Sequence, residues 1–373
     1  MTHQPSDAGS GPARDMSYTP EVTPAFERML MPLFYQTGMP RVARHLNRAK
    51  AVMGMYHGFT AQEAPDGIAN YEEKHLRLRA FREQLLFFKA HYDVVPLDDV
   101  VRACATGAPF PDRAAVITID DGYRSIYTVA YPVLRELQLP AAVFLATDFV
   151  DNRRYLWTDR VEHAVGRSTR EAIEVSVGDE RLRLPLHDRA SRIAADRRLR
   201  SAIKALPQGT RDRAVEALEQ AAGCSLQDAP DDTALYEPLR WAEAAEMAQS
   251  GLVTIGSHTH THVILSRCEP ARAAEELRLS KSTVESRLGL RCHLFCYPNG
   301  RRGDFNVATR RLLQEHGFTG ALTTVYGMNG RDADAYELKR YNFGKPLMRG
   351  ELDVRLSGLM DLGSLLKRSF RRR

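Results

Sequence analysis

Two short runs in this 373-residue chain carry the residue types of hydrolytic metal chemistry. The first is Ser257-His258-Thr259-His260-Thr261-His262, with imidazoles on alternate positions. In an extended loop all three rings fall on one side. In a helical turn only His258 and His262 share a face, so these two can converge in either conformation. The second run is Thr118-Ile119-Asp120-Asp121-Gly122. An Asp-Asp-Gly on its own is an ordinary turn, with glycine supplying the permissive backbone. Together the two runs say more. One carboxylate and two imidazoles make three ligands and leave an open position for water, the layout of a catalytic zinc site. A second carboxylate beside the ligand can act as base toward that water. A bound cation lowers the pKa of the water from about 16 to roughly 7–9.

Both runs close short apolar segments. Ala115–Ile119 is a β-branched strand running into Asp120, and Leu252–Ile255 is a strand ending at Gly256-Ser257-His258. The same pattern recurs at Ala51–Tyr56, which ends at His57-Gly58, at Val94-Val95, at Ala142–Leu145, at His293–Tyr297, which ends at Pro298-Asn299-Gly300, and at Phe318–Thr324. Helical spacing lies between them: Phe81, Leu85, Phe88 and Tyr92; then Ile126, Val129, Val133, Leu134 and Leu137; then helices over about 270–288 and 305–316. Strands alternating with helices predict a parallel sheet. Its unusual polar residues sit at the C-terminal strand ends, where parallel barrels and sheets place their sites. The stretch 151–245 breaks the alternation. Val175 and Val177, a Gly178-Asp179 turn, and Leu182, Leu184 and Leu186 predict a hairpin, followed by Arg- and Ala-rich helices near 188–205 and 210–222. The expected organisation is an N-terminal arm and helix (1–48), a first half-barrel (49–150), a mainly helical insertion (151–245), a second half-barrel (246–345) and a basic C-terminal tail (346–373).

Composition excludes several classes. Hydrophobic residues at 43% and charged residues at 27% are ordinary for a globular chain, not a disordered or membrane-integral one. No apolar run approaches the ~18 residues of a spanning helix. The net charge of +5 is dispersed, which argues against a nucleic-acid partner. The five cysteines (104, 224, 268, 292 and 296) make no disulfide framework. The first twenty residues lack the apolar stretch of a signal peptide, so a cytoplasmic location is expected. At the other end, Lys367–Arg373 follows Leu359, Met360, Leu362, Leu365 and Leu366, which can share a helix face. A solvated tail is the plain reading, and peripheral contact with an anionic membrane is its rival.

Thr118–Gly122 resembles the first motif of the nodulation-type polysaccharide deacetylases. Ser257–His262 is similar to their second, His-x-x-x-His, and Phe295-Cys296-Tyr297-Pro298-Asn299-Gly300 to their third, in the same order and at strand ends. The resemblance implies an α/β fold, a distorted (β/α) barrel of about seven parallel strands carrying a mainly helical insertion. It also implies hydrolysis of N-acetyl groups on amino sugars in a polymer, oligomer or lipid-linked precursor, with a divalent metal, zinc first among candidates. Carried over by position, Asp120 is the general base and Asp121, His258 and His262 are the metal ligands. A backbone N–H of the Tyr297-Pro298-Asn299 loop stabilises the oxyanion.

This chain departs from the family pattern at several places. Cys296 stands where an arginine commonly restrains the base, so Asp120 needs another partner, and Asn299 stands where tyrosine is common. The late histidine acid is missing; its nearest match, Leu338-Lys339-Arg340, ends in arginine, and Arg340 is grouped here with the substrate and oxyanion residues. Tyr56-His57-Gly58 resembles the branch acting on β-1,6-linked N-acetylglucosamine polymers, in which an early histidine serves as acid. His57 is therefore the candidate acid, and His260 the alternative. Trp157 and Trp241 flank the insertion and are expected to pack, with sugar stacking as the other reading. The competing functions are hydrolysis of another non-peptide C–N bond (a formamide or cyclic amide), an inactive carbohydrate-binding relative, and a two-histidine, one-carboxylate iron oxygenase, which needs no adjacent base.

Overall fold

The computed structural model describes residues 36–62, 67–229, 234–344, 347 and 349–359. In chain order its strands are β1 (Val52–Tyr56), β2 (Gly58–Thr60), β3 (His75–Arg77), β4 (Asp93–Val94), β5 (Ala114–Ile119), β6 (Ala141–Leu145), β7 (Ala172–Val177), β8 (Glu180–Pro185), β9 (Val253–Ser257), β10 (Leu294–Cys296), β11 (Gly320–Leu322) and β12 (Tyr341–Asn342). One sheet runs β11-β10-β9-β6-β5-β1-β12, with β4 added beside β5, and its ladders are parallel. The segment leading into β12 also bonds to β11. Leu338 donates its N–H to Ala321 O (3.0 Å) and accepts from Thr323 N–H (2.8 Å), and three residues later Tyr341 pairs with Gly54 of β1. The sheet thereby curls into the distorted seven-stranded barrel that the sequence leads one to expect.

The strands read as apolar runs because both faces are covered. Every residue of β5 and β6 is buried. Alternate positions separate into two clusters. Met53, Val116, Ala142, Phe144, Leu294, Cys296 and Leu322 fill the interior, with Leu97, Val100 and Val101 of the helix Leu97–Thr106 packed among them. Val52, Ile117, Ile119, Val143 and Leu145 face the outer helices, among them Leu78–His91, Tyr131–Leu137 and Pro270–Leu288.

The insertion has its own core. Ile173, Val175, Leu182 and Leu184 of the antiparallel β7–β8 hairpin pack on Leu199, Ile203, Val215 and Leu218 of the helices Arg189–Lys204 and Gln208–Ala222. Trp157 and Trp241 both carry protein partners. The Arg211 guanidinium lies 5.6 Å from the Trp157 ring, and Trp241 Nε1 donates to Asp151 Oδ1 at 3.0 Å, as packing requires.

The C-terminal stretch begins differently from the expected tail. Residues Arg349–Leu356 form a helix that buries Leu352, Val354 and Leu356. It packs on the helix Met39–Leu46 through an Arg44–Asp353 ion pair, and Leu356 O accepts from Tyr92 Oη at 2.8 Å. Four basic residues around 349–359 and its flank hide this apolar face in the sequence. The basic run Lys367–Arg373 and its proposed membrane contact lie outside the described residues. Among the described residues no helix is long and apolar enough to cross a membrane. All five cysteines are free thiols.

Near the N-terminal strand ends, opposite the motif loops, His293 Nε2 meets Asp98 Oδ1 at 2.5 Å and Thr254 Oγ1 donates to Asp98 Oδ2 at 3.3 Å. The hydrogen bond to Asp98 raises the His293 pKa, and the same bond lowers that of Asp98. A raised folded-state pKa stabilises fully below the unfolded value of about 6.5 and is lost as pH rises through the folded one; a depressed Asp stabilises above about 3.9 and is lost below. The pair thus acts fully between its own two unfolded values. We expect His293→Gln to cost about 1 kcal/mol or less near pH 5, the partly exposed pair being screened, and progressively less above neutrality, as read from urea unfolding across pH.

Candidate active site

β5 delivers Asp120 and Asp121 to the C-terminal mouth of the barrel, where both carboxylates are almost fully buried. β9 delivers His258, and the loop after it delivers His262. The three groups converge on one oxygen. Asp121 Oδ1 lies 3.5 Å from His258 Nε2 and 3.4 Å from His262 Nε2, and the imidazoles meet edge-on with centroids 4.9 Å apart. His258 Nδ1 hydrogen-bonds Cys296 O at 2.7 Å, which fixes the Nδ1–H tautomer and frees Nε2 for a cation. Burial pushes the His258 pKa down to about 4, so the ring is neutral at ordinary pH, as a ligand must be. Burial would raise the Asp121 pKa, but the His262 hydrogen bond and the Lys74 and His57 charges outweigh it and hold the group well below the carboxylate range. Two imidazole nitrogens and one carboxylate oxygen fit a divalent cation such as zinc.

The backbone is bent to achieve this. Asp121 (φ 75°), Thr259 (63°), His262 (55°) and Asn299 (61°) all adopt left-handed conformations, which favour glycine and asparagine. Gly122, at φ 98°, completes the first turn; a Cβ there would meet Leu145 and Val150 at 3.0 Å.

Asp120 has the partner that the sequence left open. Arg340 donates from Nη1 to Asp120 Oδ1 (2.8 Å) and from Nη2 to Oδ2 (2.7 Å), with further bonds to Thr118 Oγ1, Thr323 O and Cys296 Sγ. Burial alone would raise the Asp120 pKa; the guanidinium more than offsets this and keeps the carboxylate ionised. Arg340 is only 1% exposed. It restrains the Asp120 carboxylate and, buried with its donors taken, is not placed as a substrate or oxyanion contact, which corrects the grouping drawn from the sequence. It reaches the position left by the family's missing arginine from a different strand, and Cys296 makes room for it.

The third-motif loop narrows to one donor. Tyr297 N–H is taken by Leu322 O (3.0 Å), its ring is buried and stacks on Phe305 at 4.9 Å, and Pro298 has no N–H. Asn299 N–H remains, the only amide of the three without a main-chain partner among the described residues. His57 is half-buried at the junction of β1 and β2, without a side-chain hydrogen bond to the described residues. Burial lowers its pKa, while Asp121 and Asp120 push back. His260 turns away, with Nδ1 2.9 Å from Thr147 Oγ1 and Nε2 3.9 Å from Asp148 Oδ1.

The sequence profile of the family described as polysaccharide deacetylase matches residues 107–321, more than half of the chain. The chain belongs to the polysaccharide deacetylase family. It is 33% identical over 100 residues to the poly-beta-1,6-N-acetyl-D-glucosamine N-deacetylase of Escherichia coli (strain K12), a match covering 26% of this chain and 15% of that relative. This chain therefore matches only a small part of that relative's length. Among solved structures it is similar in fold to the deacetylase PplD of Streptococcus pyogenes (TM-score 0.53, 16% identity, 83% of this chain and 98% of that one). It is equally similar to IcaB from Ammonifex degensii (0.53, 17%, 83% and 97%).

In this family member the loop of the second motif rests on a residue the sequence did not single out. Glu276, fully buried on the helix Pro270–Leu288, accepts from His260 N–H (2.9 Å), Thr261 N–H (2.8 Å) and Thr261 Oγ1 (2.7 Å). A carboxylate at helical spacing with Ala273, Leu277, Ser280 and Val284, all buried, was its signal.

Removing the arginine tests the base assignment. Arg340→Met leaves a buried carboxylate unpaired, a loss of about 3–5 kcal/mol. It should also move the acid limb of the pH–rate profile upward, because Asp120 must ionise without its cation. Adding Cys296→Arg in that background should bring the limb part of the way back.

Proposed function

We propose that this deacetylase is a metal-dependent hydrolase that removes acetyl groups from N-acetylated amino sugars of a polysaccharide, oligosaccharide or saccharide precursor. The observation that carries the reading is the convergence of Asp121 Oδ1 with the Nε2 atoms of His258 and His262, beside a carboxylate that Arg340 keeps ionised. A β-1,6-linked N-acetylglucosamine chain is the first substrate to test, given the name of the Escherichia coli relative and the Tyr56-His57-Gly58 sequence.

A divalent cation, zinc first, would be held by Asp121, His258 and His262 and would supply Lewis acidity toward water and the acetamide carbonyl. Asp120, oriented by two guanidinium bonds, takes the proton of the attacking water. Asn299 N–H is placed in the loop to steady the oxygen that gains charge as the carbonyl carbon becomes tetrahedral. Expelling an amide anion is prohibitive, so the departing nitrogen needs a proton. His57 is the imidazole free to give it, since His260 is held by Thr147.

Acetate release from N-acetylated glycans should stop on chelation and return with zinc. Asp121→Ala and His258→Ala should lose the metal, whereas Asp120→Asn should retain it and lose at least ~100-fold in kcat. An Asp120→Asn protein of undiminished turnover would sink the base assignment.

His57 is separable by leaving group. Acting as acid, it matters for acetamides and little for activated acetyl esters, whose leaving groups need no proton. His57→Ala should lose roughly 100-fold on the amide and much less on the ester. Equal losses on both substrates would mark it as a packing residue.

A further inference from the structure

Asp121 has two oxygens, and they face different partners. Oδ1 is presented to the imidazole pair, while Oδ2 lies 3.8 Å from Lys74 Nζ. Lys74 is not free to wander. Its ammonium donates to Asp159 Oδ1 at 2.8 Å and sits 4.6 Å from the centroid of the Tyr123 ring, and Tyr123 Oη donates to Asp159 Oδ2 at 2.6 Å. Asp159 and Tyr123 are buried, and the Lys74 side chain is 24% exposed. The result is a row of alternating charges, Asp159–Lys74–Asp121, ending on a metal ligand.

Asp159 lies on the helix Trp157–Arg167, which belongs to the insertion and contributes Val161, Ala164 and Val165 to its core. The segment leading to Lys74 is bound to the same body. Ile68 packs in the insertion core, Asn70 N–H donates to Glu162 Oε1 at 2.9 Å, and Tyr71 Oη donates to Asp196 Oδ2 at 2.6 Å. Lys74 then leads into β3, which pairs with β2; a Cβ on Gly58 would strike the His75 ring at 1.9 Å, so this close approach requires glycine. On the other side of the site the insertion's Gln208 Nε2 donates to Thr261 Oγ1 at 2.7 Å, next to His262.

We infer that Lys74 is a positioning residue that reserves Asp121 Oδ2, so that Asp121 ligates through Oδ1 alone, and that the insertion sets this arrangement through Asp159. The inference rests on the metal-centre reading of Asp121, His258 and His262. An ammonium beside Oδ2 repels a cation from that side and competes with it for the carboxylate. A carboxylate released from it can take the cation with both oxygens and occupy a position that water or substrate needs.

The two partners therefore have opposite effects. Lys74→Met removes a repelling charge and should bind zinc roughly fivefold more tightly, yet turn over more slowly. Asp159→Asn frees the ammonium to pair with Asp121 and should weaken zinc binding by a similar factor. Lys74→Arg should stay near the parent. The measurements are zinc affinity by competition with a chromophoric chelator, and the visible spectrum of the cobalt(II)-loaded full chain. Lys74→Met should lower the d–d absorption intensity, as a higher coordination number does. Melting curves identify any variant that is merely misfolded, and Asp159→Asn then carries the test. Shifts of opposite sign in well-folded variants support the inference. Unchanged affinities and spectra, or equal losses in both variants, overturn it. Asp121→Asn separates the two readings: if it loses zinc while Lys74→Met and Asp159→Asn match the parent, only the inference on Lys74 fails, whereas parent-like zinc binding by Asp121→Asn removes the metal centre itself.

Discussion

The ion pair between Asp120 and Arg340 is the contact on which fold and chemistry both rest. Its two members are almost wholly buried, and a buried charge without a partner costs several kcal/mol. The pair is sustained because the guanidinium is fully satisfied, with bonds to both oxygens of Asp120 and to Thr118, Thr323 and Cys296. Those acceptors belong to the ends of β5 and β10 and to the residue following β11. Arg340 itself precedes β12, which pairs with β1. One side chain therefore joins the strands where the barrel closes and aims the carboxylate proposed as base.

The motif loops around this pair hold four non-glycine residues in left-handed conformations, two of them proposed ligands. Such residues are disfavoured by roughly 1–2 kcal/mol each and persist only where surrounding bonds determine them. Those bonds are visible. Asp121 O accepts from Ala146 N–H, Thr259 O from Thr147 N–H, and Asn299 O from Thr324 Oγ1. Glu276 ties down the amides of His260 and Thr261, between His258 and His262. The asparagine at 299, a departure from the family's usual tyrosine, suits its conformation, since asparagine tolerates the left-handed region better than an aromatic residue does. The strained conformations of the mouth are thus held by hydrogen bonds from neighbouring strand ends and helices.

What could be read from sequence alone follows from the range of the interactions. Alternating apolar strands and helices announce the parallel barrel, and the residue types at two strand ends announce the cluster of Asp121, His258 and His262, because both signals are local. The 175–186 hairpin was legible for the same reason. Arg340 reads in the sequence as a substrate or oxyanion residue because its partner lies 220 positions away and nothing near it in sequence shows that it is buried. Lys74 sits in a Glu72-Glu73-Lys74 run that looks like an ordinary solvated surface. The helix Arg349–Leu356 reads as tail in the sequence because its four charged residues outnumber the three apolar ones it buries, Leu352, Val354 and Leu356.

The family profile spans 107–321. That interval contains Asp120, Asp121, His258, His262 and Asn299, but not His57, Lys74 or Arg340. The three groups outside it are an imidazole proposed as proton donor in place of the late histidine, an arginine on Asp120 in place of the one that Cys296 displaces, and an ammonium behind the carboxylate of Asp121. Two of them reach the mouth through the closing seam. His57 follows β1, Arg340 precedes β12, and the Gly54–Tyr341 and Met55–Asn342 pairings bring the two strands together. Lys74 comes in on the loop bound to the insertion. The shared part of the barrel thus provides the proposed ligands, base and oxyanion donor, while the closing strands and the insertion provide the charged groups beside them. The chain thus lacks two residues of the family pattern, and the seam between β1 and β12 is what brings the imidazole and guanidinium proposed to replace them to the mouth.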